Sequence, residues 1–280
     1  EAITHSQLHH PNVIPFFGVH QDIADSHPLI ILPFLEQGSL QAILTKHLLK
    51  PHDFQHVLLG IANGVEYLHS QHPPIIHGDL HPGNVLLDKI GNPYLCDFGL
   101  SRIRHEVSRS QTMRPEGGNR RFLSPELLAL DRGTFFSSRE SDIFALAMTF
   151  LNIWTGRRPF SEVRDDYKVA AMVKAGLRPQ KTAVAVRMKP EMEAALWELL
   201  ANSWAQLPDD RLASSALSQC LITIFADDDQ PHPVMQGVHS ILLHYTLLVM
   251  LPSISGHYSL SLNNSSPVPT AWRAFLCNWQ

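Results

Sequence analysis

Ile75-Ile76-His77-Gly78-Asp79-Leu80-His81-Pro82-Gly83-Asn84-Val85-Leu86-Leu87 runs, across the turn Asp88-Lys89-Ile90-Gly91-Asn92-Pro93, into Tyr94-Leu95-Cys96-Asp97-Phe98-Gly99. The apolar runs Val85 to Leu87 and Tyr94 to Cys96 flank a segment of Gly, Asn and Pro, which predicts a small hairpin. The polar residues stand at its ends. Asp79 and Asn84 precede the first strand and Asp97 follows the second, so the hairpin gathers two carboxylates and a carboxamide on one rim. Such a rim suits Mg²⁺, a hard cation held by a few protein oxygens and completed by substrate phosphates. Asp79 is left over as a base.

Working outward, His52 to Gln71 carries Phe54, Val57, Leu58, Ile61, Val65 and Leu68 at three- and four-residue spacing, the pattern of an amphipathic helix delivering the chain to this loop. Glu1 to Leu8 reads as the end of a helix stopping near Pro11. Strands are expected at Phe16 to His20 and at Leu29 to Leu32, the second ending at Pro33, and Ser39 reads as a helix N-cap. Ser101 to Arg121 is polar, and a loop this long is functional or disordered. Val238 to Ile254 is apolar but interrupted by polar residues, short of the ~20 apolar residues of a membrane span.

The composition narrows the function classes. At 280 residues and 44% hydrophobic content the chain can fill a core. Its net charge of −4, without basic runs, provides no electrostatic footprint for nucleic acid. Three cysteines, Cys96, Cys220 and Cys277, are too few and dispersed for a disulfide framework or a zinc site. No secretory pattern opens the sequence, so the expected location is intracellular, in the cytoplasm. A metal-hydrolysis site at His77, Asp79 and His81 would lack further ligands.

The loop with Asp79 and Asn84, followed by Asp97-Phe98-Gly99, resembles the catalytic loop and Mg-binding triplet of eukaryotic-type protein kinases. The resemblance implies an α+β, protein-kinase-like fold with a mainly helical large lobe and an incomplete small β lobe. Residues 1–38 would be the small-lobe remnant, 39–225 the large lobe, and 226–280 a tail that is poorly ordered or partly helical. ATP and Mg²⁺ are the implied cofactors, and protein hydroxyls the implied acceptors; neither a specific substrate nor an oligomeric state follows. By the same resemblance Asp79 is the catalytic base, Asn84 and Asp97 are metal ligands, and His77 and Phe98 are internal packing residues, with Gly99 closing the triplet. Glu1 falls where the family keeps its helix-C glutamate, with His5 in the place of an aliphatic residue.

Leu29 through Leu40 is similar to the family's fifth strand and hinge. Leu32 would be the gatekeeper, the Pro33 carbonyl and Leu35 amide would face the adenine, and Leu86 and Cys96 would border the nucleotide. Ser124-Pro125-Glu126 is a variant of Ala-Pro-Glu, making the polar segment an activation segment. Asp142 should accept backbone hydrogens from the catalytic loop, and Arg211 should pair with Glu126. The region Leu196 to Trp204 resembles the tyrosine-kinase-like group.

Gly78 stands where many kinases have Arg, so replacing Ser108, Ser110 and Thr112 should alter activity only modestly. His81 takes the place of a phosphate-facing Lys, and Asn119 that of its companion Thr. No Gly-rich loop or lysine precedes the hinge, Lys46 being the first lysine, so this 280-residue chain is expected to be a weak or inactive kinase. A pseudokinase and a small-molecule phosphotransferase of the aminoglycoside and choline kinase type are the alternatives. The second shares His77-Gly78-Asp79-Leu80-His81-Pro82-Gly83-Asn84 but not the Ser124-Pro125-Glu126 element.

Overall fold

The computed structural model of the chain describes residues 6–20, 29–49, 53–97, 119–129, 137–181, 185–186, 188–226 and 275–277. The expectations placed on Glu1, His5, Phe98, Gly99, the serines and threonine of the 101–118 segment, and the apolar run 238–254 lie outside these residues. The first apolar runs form a hairpin of β1 (Gly18–His20) and β2 (Leu29–Leu32), paired antiparallel in the register Gly18↔Ile31, Val19↔Ile30 and His20↔Leu29. Of β2 only Ile30 is buried.

After β2 the chain turns at Gly38, whose φ of +72° suits a residue without a Cβ. It enters β3 (Gly38–Ser39) and α1 (Leu40–Thr45) there. The Ser39 hydroxyl oxygen accepts the Ala42 N–H at 3.3 Å, the expected N-cap. The amphipathic run forms α2 (Phe54–Ser70), slightly shorter than read from the sequence because Gln71 is already extended and Ile75 N–H returns to Leu68 C=O. Phe54, Val57, Leu58, Ile61, Val65 and Leu68 are all fully buried, each stabilising the fold by roughly 1.5–3 kcal/mol.

The central hairpin consists of β4 (Val85–Leu87) and β5 (Pro93–Leu95), and β3 completes an antiparallel three-stranded sheet in the order β3-β4-β5. The second strand thus starts one residue earlier than the expected Tyr94 to Cys96. Pro93 is tolerated because the first residue of a strand need not donate to the ladder, while the Cys96 N–H turns to the Asn84 carbonyl at 3.0 Å. Two glycines let α2 and this sheet approach closely. A Cβ on Gly60 would stand 2.5 Å from Pro93 Cγ, and one on Gly64 would stand 2.8 Å from Leu95 Cδ1.

Beyond α3 (Pro125–Ala129), α4 (Arg139–Thr155) is buried without interruption from Ser141 to Thr155. A helix apolar on all sides must lie inside the fold. It starts with a reciprocal Ser138–Ser141 capping box and ends at Gly156, whose φ is +66°. α5 (Asp166–Lys174) packs on α3 and the 3₁₀ turn Arg120–Phe122, α6 (Pro190–Ser203) packs against α4, and α7 (Ser214–Phe225) packs on α2 and α6. Trp154, Trp197 and Trp204 follow one another in tilted and edge-on contacts at 6.5 and 5.6 Å. Phe225 of α7 meets Phe54 of α2 edge-on at 6.3 Å. In the tail, the described Phe275–Cys277 form β6, antiparallel to β2, where the sequence reading had no strand. The described residues all belong to one unit formed by residues 1–226 and 274–280.

Candidate functional site

The rim of the central hairpin is built by backbone hydrogen bonds before any side chain contributes. Asp88 closes the turn at its far end by accepting the Ile90 and Asn92 N–H groups. At the near end the Asn84–Cys96 bond ties the start of β4 to the residue before Asp97. Asn84 and Asp97 therefore flank the same end of the hairpin, as the spacing predicted. Asp97 is exposed and has a φ of +59°, a conformation that Asp tolerates better than most residues.

The Asn84 amide donates through Nδ2 to the Asp79 carbonyl at 2.9 Å and to Asp79 Oδ2 at 3.2 Å. This orientation directs its hydrogens to Asp79 and leaves its Oδ1 as a potential cation ligand. Burial pushes the Asp79 carboxyl up, but the hydrogen bond from His81, the electrostatic influence of His81 and His77 and the Asn84 amide outweigh it, and the net shift is downward. The group is held as a carboxylate.

The loop that carries Asp79 hangs from α4. Asp142, 1% exposed, accepts the His77 N–H at 2.8 Å and the Gly78 N–H at 2.9 Å, and a third contact joins it to His69 Nε2 at 3.0 Å. The first two bonds are those expected for Asp142. Gly78 has a φ of +80°, so the position read as a lost guanidinium also requires a left-handed backbone, which glycine adopts without strain. His77 is fully buried, and burial holds its imidazole below the usual value despite the nearby Asp142, Asp79 and Asp97.

Leu32, Pro33, Leu35 and Leu86 are half-buried, and Leu32, Leu35 and Leu86 pack against the core; Cys96 is buried. The sequence reading overlooked two positions around this site. His69 gave no signal beyond its place in α2, because its bond to Asp142 crosses between elements. Arg121 is 1% exposed and donates to Asp166 Oδ1 and to the carbonyls of Pro159, Phe160 and Val163, tying the 3₁₀ turn Arg120–Phe122 to the loop before α5. Its sequence signal was only a basic pair, of which the neighbour Arg120 instead stacks over Tyr167 at 4.4 Å.

Arg211 and Glu126 form the expected pair. Both guanidinium nitrogens reach the carboxylate at 2.7 Å, and Nη1 also donates to the Glu140 carbonyl at 2.9 Å, joining α3, α4 and the turn Pro208–Asp210. Burial raises the Glu126 carboxyl, but the Arg211 hydrogen bond, with smaller help from Ser124, takes it below its ordinary value. A folded-state value below the unfolded one adds stability that is present above the unfolded value and lost as pH falls through the folded one. Glu126→Gln should therefore destabilise the fold at neutral pH, by about 2 kcal/mol for a partly exposed pair, and flatten the acid limb of its stability curve. Urea unfolding at a series of pH values measures both effects.

Comparison with known proteins agrees with this geometry. The protein kinase domain family matches residues 1–222. Receptor-interacting serine/threonine-protein kinase 2 of Bos taurus is 30% identical over 203 residues, covering 70% of this chain and 37% of that protein. The dual specificity protein kinase splA of Dictyostelium discoideum is 30% identical over 224 residues, covering 74% of this chain and 9% of that protein. The serine/threonine-protein kinase TNNI3K of Mus musculus is 29% identical over 224 residues, covering 78% and 25%. The chain thus spans less than half the length of each of these relatives. By its catalytic loop, its Glu126–Arg211 pair and the family match over residues 1–222, the chain belongs to the eukaryotic-type protein kinase domain family.

Proposed function

We propose that this protein transfers the γ-phosphoryl group of ATP to serine and threonine hydroxyls of protein substrates, with Mg²⁺ as the metal, inside the cell. The observation that carries the reading is Asp79, a carboxylate fixed between Asn84 and His81 beside a small pocket lined by Gly78, Leu80, Asn119, Phe122 and Leu123. A base so placed can take the proton of an acceptor hydroxyl within hydrogen-bond reach.

Asn84 and Asp97 would hold the metal. The donor set fits: a carboxamide oxygen, oriented by its own N–H bonds to Asp79, and an exposed carboxylate are hard ligands. When bound, Mg²⁺ neutralises phosphate charge as the phosphoryl group is transferred. Leu32, Pro33, Leu35, Leu86 and Cys96 would border the adenine.

The preference for serine and threonine is supported by the names of the kinases the chain resembles. The intracellular placement is supported by the scarce, dispersed cysteines. Among the described residues no helix is long and apolar enough to cross a membrane. Nucleic acid is not a proposed partner, given the net charge of −4.

The test is a phosphotransfer assay on the full-length protein with labelled Mg-ATP. Peptides bearing serine, threonine or tyrosine are compared with aminoglycosides and choline. Label on serine or threonine is the expected result; turnover with the small alcohols alone would contradict the proposal.

A further inference from the structure

Both ring nitrogens of His81 are committed within the protein. Nδ1 accepts the Gly83 N–H at 3.0 Å, at the start of the 3₁₀ turn Pro82–Asn84. A neutral imidazole that accepts at one nitrogen carries its hydrogen on the other. Nε2 is therefore the N–H, and it faces Asp79 Oδ2 at 3.5 Å. Gly83 makes this pose possible: a Cβ at that position would stand 2.5 Å from His81 Cε1 and 2.8 Å from Nδ1. Phe122 borders the ring on another side, with centroids 6.0 Å apart.

The consequence falls on the carboxylate. Asp79 Oδ2 meets both His81 Nε2 and Asn84 Nδ2, while no group among the described residues hydrogen-bonds to Oδ1. The terminal torsion of an Asp side chain is soft and roughly two-fold, so packing alone does not choose which oxygen faces a substrate. Hydrogen bonds to one oxygen do.

We propose that His81 is a positioning residue of the transfer reaction: held by the Gly83 N–H, its Nε2–H fixes the rotation of the Asp79 carboxylate so that Oδ1 receives the acceptor hydroxyl. Gly83 belongs to the same device, as the residue over which the ring folds. The assignment differs from the phosphate-facing role of the lysine whose place His81 takes, because a ring engaged at both nitrogens has none to offer a phosphate. Its kinetic consequence rests on the proposed phosphotransfer; its geometry does not.

Two measurements on the full-length protein test it. The first is kinetic. His81→Asn keeps an acceptor near the Gly83 N–H but loses the distal donor, and should lower kcat about 10-fold or more with little change in either KM, as expected when a supporting bond is removed. His81→Gln, which places an N–H near the Nε2 position, should recover most of that loss. Gly83→Ala, which displaces the ring, should match His81→Asn, and the double variant should be no worse than either. An unchanged kcat in His81→Asn, a loss confined to KM, or equal losses in His81→Asn and His81→Gln would overturn the assignment.

The second is the long-range ¹H–¹⁵N spectrum of the wild-type ring at neutral pH, independent of turnover. The Nε2–H tautomer is expected, and the Nδ1–H tautomer would overturn the assignment. A wild-type protein that transfers no phosphate to protein hydroxyls would instead sink the proposed function, leaving the tautomer to decide this inference. The same spectrum decides it if the variants fail to fold.

Discussion

Asp79→Asn should lower kcat by about 10²–10⁴-fold in the full-length protein while leaving the KM for ATP close to wild type, the signature of a lost general base. The substitution is nearly isosteric. Its backbone contacts, from the Asn84 amide to the Asp79 carbonyl and from the Asp79 N–H to His77 Nδ1, involve no side-chain atom of residue 79 and should persist. What disappears is the oxygen that can take a proton. Because the carboxyl is held below its ordinary value, the wild-type group is ionised at neutral pH and the whole effect should be visible there. Steady-state kinetics with saturating peptide, alongside circular dichroism of the variant, measure it. A loss under about 10-fold would assign proton removal to another group or show that it contributes little to the barrier.

The second large effect concerns the fold beneath the site. Asp142→Ala should destabilise the protein by about 3–5 kcal/mol, because it strands partners rather than merely deleting contacts. The His77 and Gly78 N–H groups and the His69 ring would lose their common acceptor. His77 and His69 are deeply buried, so replacing that acceptor with water is difficult. Asp142→Asn should cost less, since one carboxamide oxygen can still accept, although its NH₂ would confront a donor. Denaturant unfolding gives the comparison. A loss below about 1 kcal/mol in Asp142→Ala would mean that the loop does not depend on α4 for its anchoring.

The features legible in the sequence are those carried by spacing. α2 follows from its periodic apolar face, and the rim of Asp79, Asn84 and Asp97 follows from two short runs separated by turn residues. Asp142 and the Glu126–Arg211 pair were reached through resemblance, and the structure brings each to its expected partner. The misplacement of β5 by one residue came from treating Pro93 as turn, when a strand's first residue can be proline.

Contacts between distant elements were not legible. Arg120 and Arg121 are adjacent and chemically alike, yet one stacks on an aromatic ring near the surface while the other is buried among backbone carbonyls. His69 sits on a helix that any period would predict, and its partner lies on another helix. The pose of His81 depends on the missing side chain at Gly83, which in sequence reads only as part of a turn.

Calorimetric titration of the full-length protein with ATP, in Mg²⁺ and in EDTA, tests most directly whether Asp79, Asn84 and Asp97 form one phosphotransfer site. Asp97 is exposed, so Asp97→Ala gives up little packing; the left-handed backbone costs an alanine there about 1–3 kcal/mol, and circular dichroism of the variant checks that the fold persists. The account predicts Mg²⁺-dependent ATP binding in the wild type and loss of that Mg²⁺-dependent part in Asp97→Ala, with Asn84→Ala also weakened. Wild-type Mg-ATP affinity in Asp97→Ala, with the same dependence on Mg²⁺, would place the metal elsewhere and contradict the account.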